Sequence, residues 1–283
     1  MKLKNVKELL STDLGIEGQL LIPRKIMDTL VEEVDKALIP RSEAAMFFGP
    51  GEIPGSSVDV DLETPNSMDI RLVAEGAEVP MDQSAYTTFN VKPDKYGVAI
   101  RITTEMLEDS KWNLLQRNIK TAGKRFAENE NFLTITQALD NASNTVVGGS
   151  AFTITNLTAG LQFLDDLDYE GTSLFIGMEV LNDLRNIDTF VEADKVGNTD
   201  MIQKGFQGVL YGLNVMKVST NAGMTTTTAY ITDKNEAYVG AEKRGLTLAQ
   251  FDLETFDMTG AVLTQRIRFR ELRADAIVKI TTT

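Results

Sequence analysis
Carboxylates and guanidinium groups are the side chains of this sequence whose types and spacing could do chemistry. Asp59, Asp61 and Glu63 alternate with Val58, Val60 and Leu62 in SVDVDLE, so they share one face of a strand. Hard oxygen ligands in that array could hold a divalent cation at a junction between copies; the alternation equally describes a solvated strand face, which is the better reading. Asp165, Asp166 and Asp168 cluster behind an expected helix. Paired carboxylates can act as acid and base on a glycosidic bond, but nothing else in the chain supports a sugar site, and a polar surface is favoured. Arg266, Arg268 and Arg270 line one strand face, with Arg273 close by. They could touch phosphate or pair with carboxylates of an adjacent strand or subunit, since a row of like charges is unfavourable without partners. Pairing is favoured, with Asp59 and Asp61 as candidates. Arg117, Lys120, Lys124 and Arg125 could likewise face nucleic acid, but read better as the wet side of an amphipathic helix. The segment GPGEIPG (49–55) lacks the lysine and spacing of a phosphate loop and is a turn.

Composition narrows the chemistry further. The chain has 283 residues, no cysteine and no histidine, which removes thiolate chemistry, the commonest general base and the commonest zinc ligand. No constellation of the remaining groups stands out, so the reading is a non-enzyme without catalytic, cofactor or metal residues. A formal charge of −13 argues against a general nucleic-acid binder. Glu8, Asp13 and Glu17 interrupt any signal-like start, and no apolar run reaches the roughly twenty residues of a membrane span. A soluble product made in the cytoplasm, with no membrane partner, is expected.

These groups are positioned by a long arm that runs into a long helix. Tyr96, Val98, Ile100 and Ile102 alternate with Gly97, Ala99, Arg101 and Thr103, the period of a half-buried strand. Leu115, Ile119, Ala122, Phe126 and Leu133 then fall on one helical face. A helix from Lys111 to Leu139 would be roughly 40 Å long at about 1.5 Å per residue. Thr103 or Thr104 could cap a first turn at Glu105, with a break near Asp109 or Ser110. The stretch 67–95 has Gly76, Pro80 and Pro93 and too little apolar bulk for a core of its own. Ordering each residue costs roughly 1–2 kcal/mol of backbone entropy, so this arm is expected to be ordered by lying on a neighbouring copy. Deleting residues 72–90 is then expected to leave a folded subunit that no longer assembles with its neighbours.

Elsewhere, residues 1–22 read as an N-terminal arm, and Pro23 opens a helix with the stripe Ile26, Leu30, Val34 and Leu38, ended by Pro40. NASNTVVGGS (141–150) reads as a loop and domain boundary. Helices are expected at 157–167 and 178–186, and a short buried strand at 173–176. GVLYGLNVMKVS is a turn feeding a strand, the threonines at 225–228 an exposed loop, and AYITD, AYVG and GLTLAQF strands. AVLTQRIRFRELRADAIVKITTT closes the chain in strands. Strands on both sides of a helical middle predict an α+β fold with two subdomains.

The order LIPRKIMDTL, AEGAEVP, KYGVAIRIT with TEMLEDS, AENENFLT, GVLYGLNVMKVS and RIRFRELRADAIVKI resembles the major capsid proteins of tailed phages, the Hong Kong 97-like fold, which is shared with encapsulin shell proteins. The resemblance implies an N-terminal arm (1–22), a peripheral domain (23–66, 96–154 and 241–283, with a spine helix about 104–139), an E-loop (67–95) and an axial domain (155–240). C-terminal strands would pair with those at 58–63 and 88–102. It also implies a structural protein that self-assembles, as pentamers and hexamers, into an icosahedral shell enclosing viral double-stranded DNA without sequence-specific binding. Its place would be the virion, assembled in the host cytoplasm, with scaffold, portal or decoration proteins as further partners. The alternative use is an encapsulin compartment holding a cargo enzyme. Expected subunit-contact residues are Glu75, Glu78, Val79, Tyr86, Phe89, Lys92, Arg266, Arg268 and Arg270. Because Met1 stands almost at the arm, any scaffold is expected to be separate or absent. Lys92 and Lys95 lie on the arm, but nothing around them indicates the crosslink some relatives make.

Overall fold
A computed structural model describes residues 41–64, 68–79, 81–103, 105–106, 114–186 and 209–282. The described strands are β1 (Met46–Phe48), β2 (Val58–Glu63), β3 (Tyr86–Val91), β4 (Asp94–Thr103), β5 (Asn144–Val147), β6 (Ser173–Ile176), β7 (Val209–Leu210), β8 (Leu213–Lys217), β9 (Thr228–Thr232), β10 (Tyr238–Leu253), β11 (Met258–Glu271) and β12 (Ile277–Thr281). The described helices of two turns or more are α1 (Leu114–Gln137), α2 (Ile154–Asp165) and α3 (Met178–Arg185). The expected N-terminal arm, the helix behind Pro23 and the break near Asp109 lie outside the described residues.

Among the described residues there are three sheets: a four-stranded one ordered β1-β10-β11-β4, a six-stranded one ordered β5-β12-β9-β6-β8-β7, and the hairpin β2-β3. Helix α1 serves two cores, the two halves of its apolar stripe joining different clusters. Ile119, Ala122 and Phe126 pack on Ala261 and Leu263 of β11. About two turns or more further on, Leu133 and Ile135 join Phe175, Tyr230, Tyr238, Ile267 and Phe269, which come from both larger sheets. A third core lies where Leu157, Leu164, Val180 and Leu184 of α2 and α3 cover Leu174, Ile176, Ile231 and Ile280. Thr103 caps the turn at Glu105 as expected, its hydroxyl accepting from the Met106 amide at 3.3 Å.

Several expectations change. Residues 144–147, read as loop, form edge strand β5, parallel to β12; Val146 packs against the third core, which the adjacent pair Val146 and Val147 alone does not signal. AYVG and GLTLAQF are one strand, β10, with irregular register between Glu242 and Thr247. The C-terminal residues 277–281, expected to return to the peripheral sheet, pair with β9 and β5 in the six-stranded sheet. Of the C-terminal strands it is β11 that pairs with β4, whereas β2 pairs with β3. The buried, two-sided character of IVKI explains the sheet choice: Ile277, Val278 and Ile280 are fully buried, which suits an interior strand.

The threonine run is a cap rather than a free loop. The Thr226 carbonyl accepts from the Glu179 and Val180 amides at 3.1 and 3.3 Å, closing the N-terminus of α3. Gly177 permits this approach, since a Cβ there would sit 2.5 Å from the Thr226 oxygen and 2.6 Å from the Thr225 oxygen. Gly177→Ala is therefore expected to cost about 1–3 kcal/mol by overpacking, read as a lower midpoint in urea unfolding.

Beyond α1, a short 3-10 turn at Leu139–Asn141 anchors the helix end to the six-stranded sheet. Asp140 accepts from the Tyr230 hydroxyl at 2.6 Å and from Lys279 Nζ at 2.7 Å. Burial alone would raise the Asp140 pKa, but the hydrogen bonds from Lys279 and Tyr230 and the Lys279 charge outweigh it and lower the value. A lowered carboxylate stabilises the fold above its ordinary pKa of about 4 and loses that contribution as pH falls through the folded value. Asp140→Asn is accordingly expected to lower stability at neutral pH and flatten the acid limb of a stability–pH profile measured below about pH 4. Burial, with the Asp140 carboxylate, raises the Tyr230 phenol well above its usual range, so it stays protonated as the donor.

Candidate functional site
The feature that stands out is the chain between β2 and β3. Its two ends are held together, the Thr64 amide donating to the Ala85 carbonyl at 2.8 Å as a last rung of the hairpin. From 68 to 85 the described residues form no helix or strand, and their apolar side chains meet almost nothing: Ile70 is 104 % exposed, Leu72 103 % and Met81 94 %. Glu75, Glu78 and Val79 are exposed on this arm, and Tyr86 is exposed where β3 begins. Lys92 is exposed in the link from β3 to β4. Local ion pairs from Arg71 to Asp69 (3.4 Å) and Asp82 (3.6 Å) brace the arm's base.

The root of the arm is firm where the arm is not. One face of the hairpin, with Val60, Val91 and Phe89, packs on Ile53, Val239, Ala241 and Leu272. The arginine row lies beside it and grips the hairpin chiefly by its main chain. Arg266 donates to the Pro93 carbonyl at 3.2 Å, Arg270 to the Asn90 carbonyl at 3.0 Å, and Arg273 to the Glu63 carbonyl at 2.8 Å. The Arg270 guanidinium also lies 5.1 Å from the centre of the Phe89 ring. Arg268 pairs with Asp94 at 2.7 Å, and Arg273 with Glu236 at 2.6 Å. The expected partners Asp59 and Asp61 are not used. They accept instead from Asn90 and Thr88 across the hairpin, each at 2.5 Å, because β2 pairs with β3 and not with β11. Row and arm root are thus brought together within one subunit.

Other candidate chemistry does not assemble. Asp59, Asp61 and Glu63 do share the exposed face of β2, and Asp165, Asp166 and Asp168 are exposed, but among the described residues no group of acidic side chains is arranged to hold a metal ion. Arg117, Lys120, Lys124 and Arg125 lie on the exposed side of α1, Arg125 pairing with Glu128 at 2.7 Å. No described helix is long and apolar enough to cross a membrane.

A buried ionic knot escaped the sequence reading. Arg41 contacts Glu130 of α1 at 2.8 Å and Glu242 of β10 at 2.8 Å, and Gln265 of β11 donates to both carboxylates at 3.1 Å. Burial would lower the Arg41 pKa, but its bonds and charge interactions with Glu130 and Glu242 more than offset that and raise it, so the guanidinium stays charged. The signal was present: Glu130 lies four residues from Phe126 and three from Leu133, a carboxylate on the apolar face of a helix, which requires a partner. Close by, Ser173 donates to Glu43, joining the start of the described chain to β6.

The same fold recurs among solved structures. The chain superposes on a subunit of the bacteriophage PhiM1 mature capsid with a TM-score of 0.68 at 10% identity, covering 87% of each chain. A structure from Microbacterium phage Oxtober96 gives 0.64 at 14% identity, over 86% of this chain and 91% of that one. A virus-like particle from Pyrococcus furiosus gives 0.59 at 14% identity, over 92% and 99%. At these identities the likeness is one of fold, and the fold is the α+β Hong Kong 97 type. No curated protein matches the chain in sequence. The family model for phage capsid protein matches residues 86–280. Since that span runs from the returning strand of the arm through α1 to β12, taking in most of both larger sheets, the chain belongs to the phage capsid protein family.

Proposed function
We propose that this capsid protein is the major shell subunit of a tailed-phage virion, and that its arm, residues 68–85, lies across a neighbouring copy. Copies of the chain gather as pentamers and hexamers and close into an icosahedral shell around double-stranded DNA, with assembly in the host cytoplasm. The observation that carries this reading is the arm itself: fully exposed apolar side chains on a firmly rooted hairpin have no means of being ordered within one subunit. Each contact can be modest, because every subunit makes several and effective concentration rises once neighbours are fixed. The protein acts by binding copies of itself rather than by catalysis. Its excess of acidic over basic side chains, −13 in formal charge, disfavours tight attachment to the packaged DNA. Scaffold, portal and decoration proteins are the further partners this role calls for.

Size-exclusion chromatography followed by negative-stain microscopy tests the proposal. Closed particles tens of nanometres across are expected, and DNA rather than a cargo enzyme inside particles taken from infected cells. A monomer at every salt and protein concentration, unchanged by the neighbouring gene products, contradicts it.

A further inference from the structure
The face of the four-stranded sheet turned away from α1 carries cations set side by side. Along β4, Tyr96 and Ile100 pack toward Ile119 and Phe126, so Lys95, Ala99 and Arg101 lie on the opposite face. On β11, Ala261 and Leu263 face the helix, which puts Thr264, Arg266 and Arg268 on the same side as Lys95. The register sets Arg266 directly opposite Lys95 on one flank and opposite Arg244 on the other. Arg244 reaches the Thr264 hydroxyl at 3.0 Å, which places its side chain on this face too. Like charges directly opposite one another destabilise a sheet. Arg268 has Asp94, but Lys95, Arg244 and Arg266 have no carboxylate partner among the described residues. A subunit that is strongly acidic overall has therefore gathered unneutralised cations across three adjacent strands.

The arm has the opposite character. Between 68 and 82 it carries Asp69, Glu75, Glu78 and Asp82 against the single cation Arg71. Arg71 is shared by Asp69 and Asp82, which leaves Glu75 and Glu78 exposed and without an ion pair among the described residues. We propose that the row Lys95, Arg266 and Arg244 is the seat of the arm of a second copy of this chain, Glu75 and Glu78 supplying the carboxylates the row lacks. This rests on the shell reading above and adds which surface the arm meets and what holds it there. The row then links stability to assembly: repulsion across the strands burdens the free subunit and is relieved when the arm arrives.

A labelled peptide of residues 68–82, titrated into the full-length chain under conditions that keep it unassembled, reads this contact without a shell. Binding is expected to weaken at least tenfold when Lys95 and Arg244 are both changed to Ala, and to weaken with added salt. The same double variant is expected to melt at a higher temperature than the wild type as a free subunit, a gain that simple loss of structure would not produce. In assembly, Lys95→Glu with Arg244→Glu abolishes shells, and adding Glu75→Lys with Glu78→Lys restores them. Peptide binding indifferent to both substitutions, or reversed-charge variants that assemble like the wild type, overturns the proposal. Shells that form normally but retain less DNA also overturn it, and assign the row to phosphate. Whether the wild type forms shells at all judges the shell reading, whereas the peptide titration judges this one.

Discussion
Excising residues 68–82 and closing the gap with a short turn is expected to leave a folded subunit that forms no closed shell. The Thr64–Ala85 hydrogen bond already brings the two ends together, so a tight turn fits where the arm left. The arm contributes no buried side chain to any core, and substitutions away from packed features usually change stability by about 0.5 kcal/mol or less. Urea unfolding should therefore be nearly unchanged while particles vanish from the void volume and from micrographs. The wider cut through residue 90 does not isolate the arm, because it removes β3, Phe89 and the Asn90 carbonyl held by Arg270. Intact particles from the narrow excision would remove the arm from the account of assembly.

Arg41→Ala is expected to be the most destabilising of the single substitutions considered. The side chains of Glu130 and Glu242 are 3% and 5% exposed, and both depend on one guanidinium. Removing one partner of a buried ionic group costs about 3–5 kcal/mol, because it strands the other charge. That is a large share of the roughly 5–15 kcal/mol that holds a typical domain folded. Here two carboxylates would be stranded, bridged by Gln265 alone. Adding Glu130→Gln and Glu242→Gln should recover much of the loss, since neutral amides no longer repel. A change below about 1 kcal/mol in urea unfolding would contradict the importance of the knot.

How far the sequence went depended on whether a feature was local. Helix α1 was legible because Ile119, Ala122, Phe126 and Leu133 repeat at helical spacing over several turns, and strand β4 because Tyr96, Val98, Ile100 and Ile102 alternate. The arm was legible by its lack of either pattern. Pairing was not legible, because period-2 alternation says that VDVDLE is a strand without saying which strand lies beside it. Alternation therefore does not reveal that Asp59 and Asp61 serve the hairpin rather than the arginine row, or that 277–281 pairs with β9 rather than in the four-stranded sheet. The arginine contacts were hidden for a further reason: three of them end on carbonyl oxygens, which every residue possesses and no sequence pattern marks. The cation row needed both registers of β11 at once, since Lys95, Arg244 and Arg266 are far apart in the chain.

On this reading the arm of one copy is ordered by another. A reconstruction of assembled particles by cryo-electron microscopy tests it most directly. Density for residues 68–82 is expected to rest on the four-stranded sheet of an adjacent copy, with Glu75 and Glu78 toward Lys95 and Arg244. Density in which the arm folds back on its own subunit, or projects from the shell touching nothing, would contradict it.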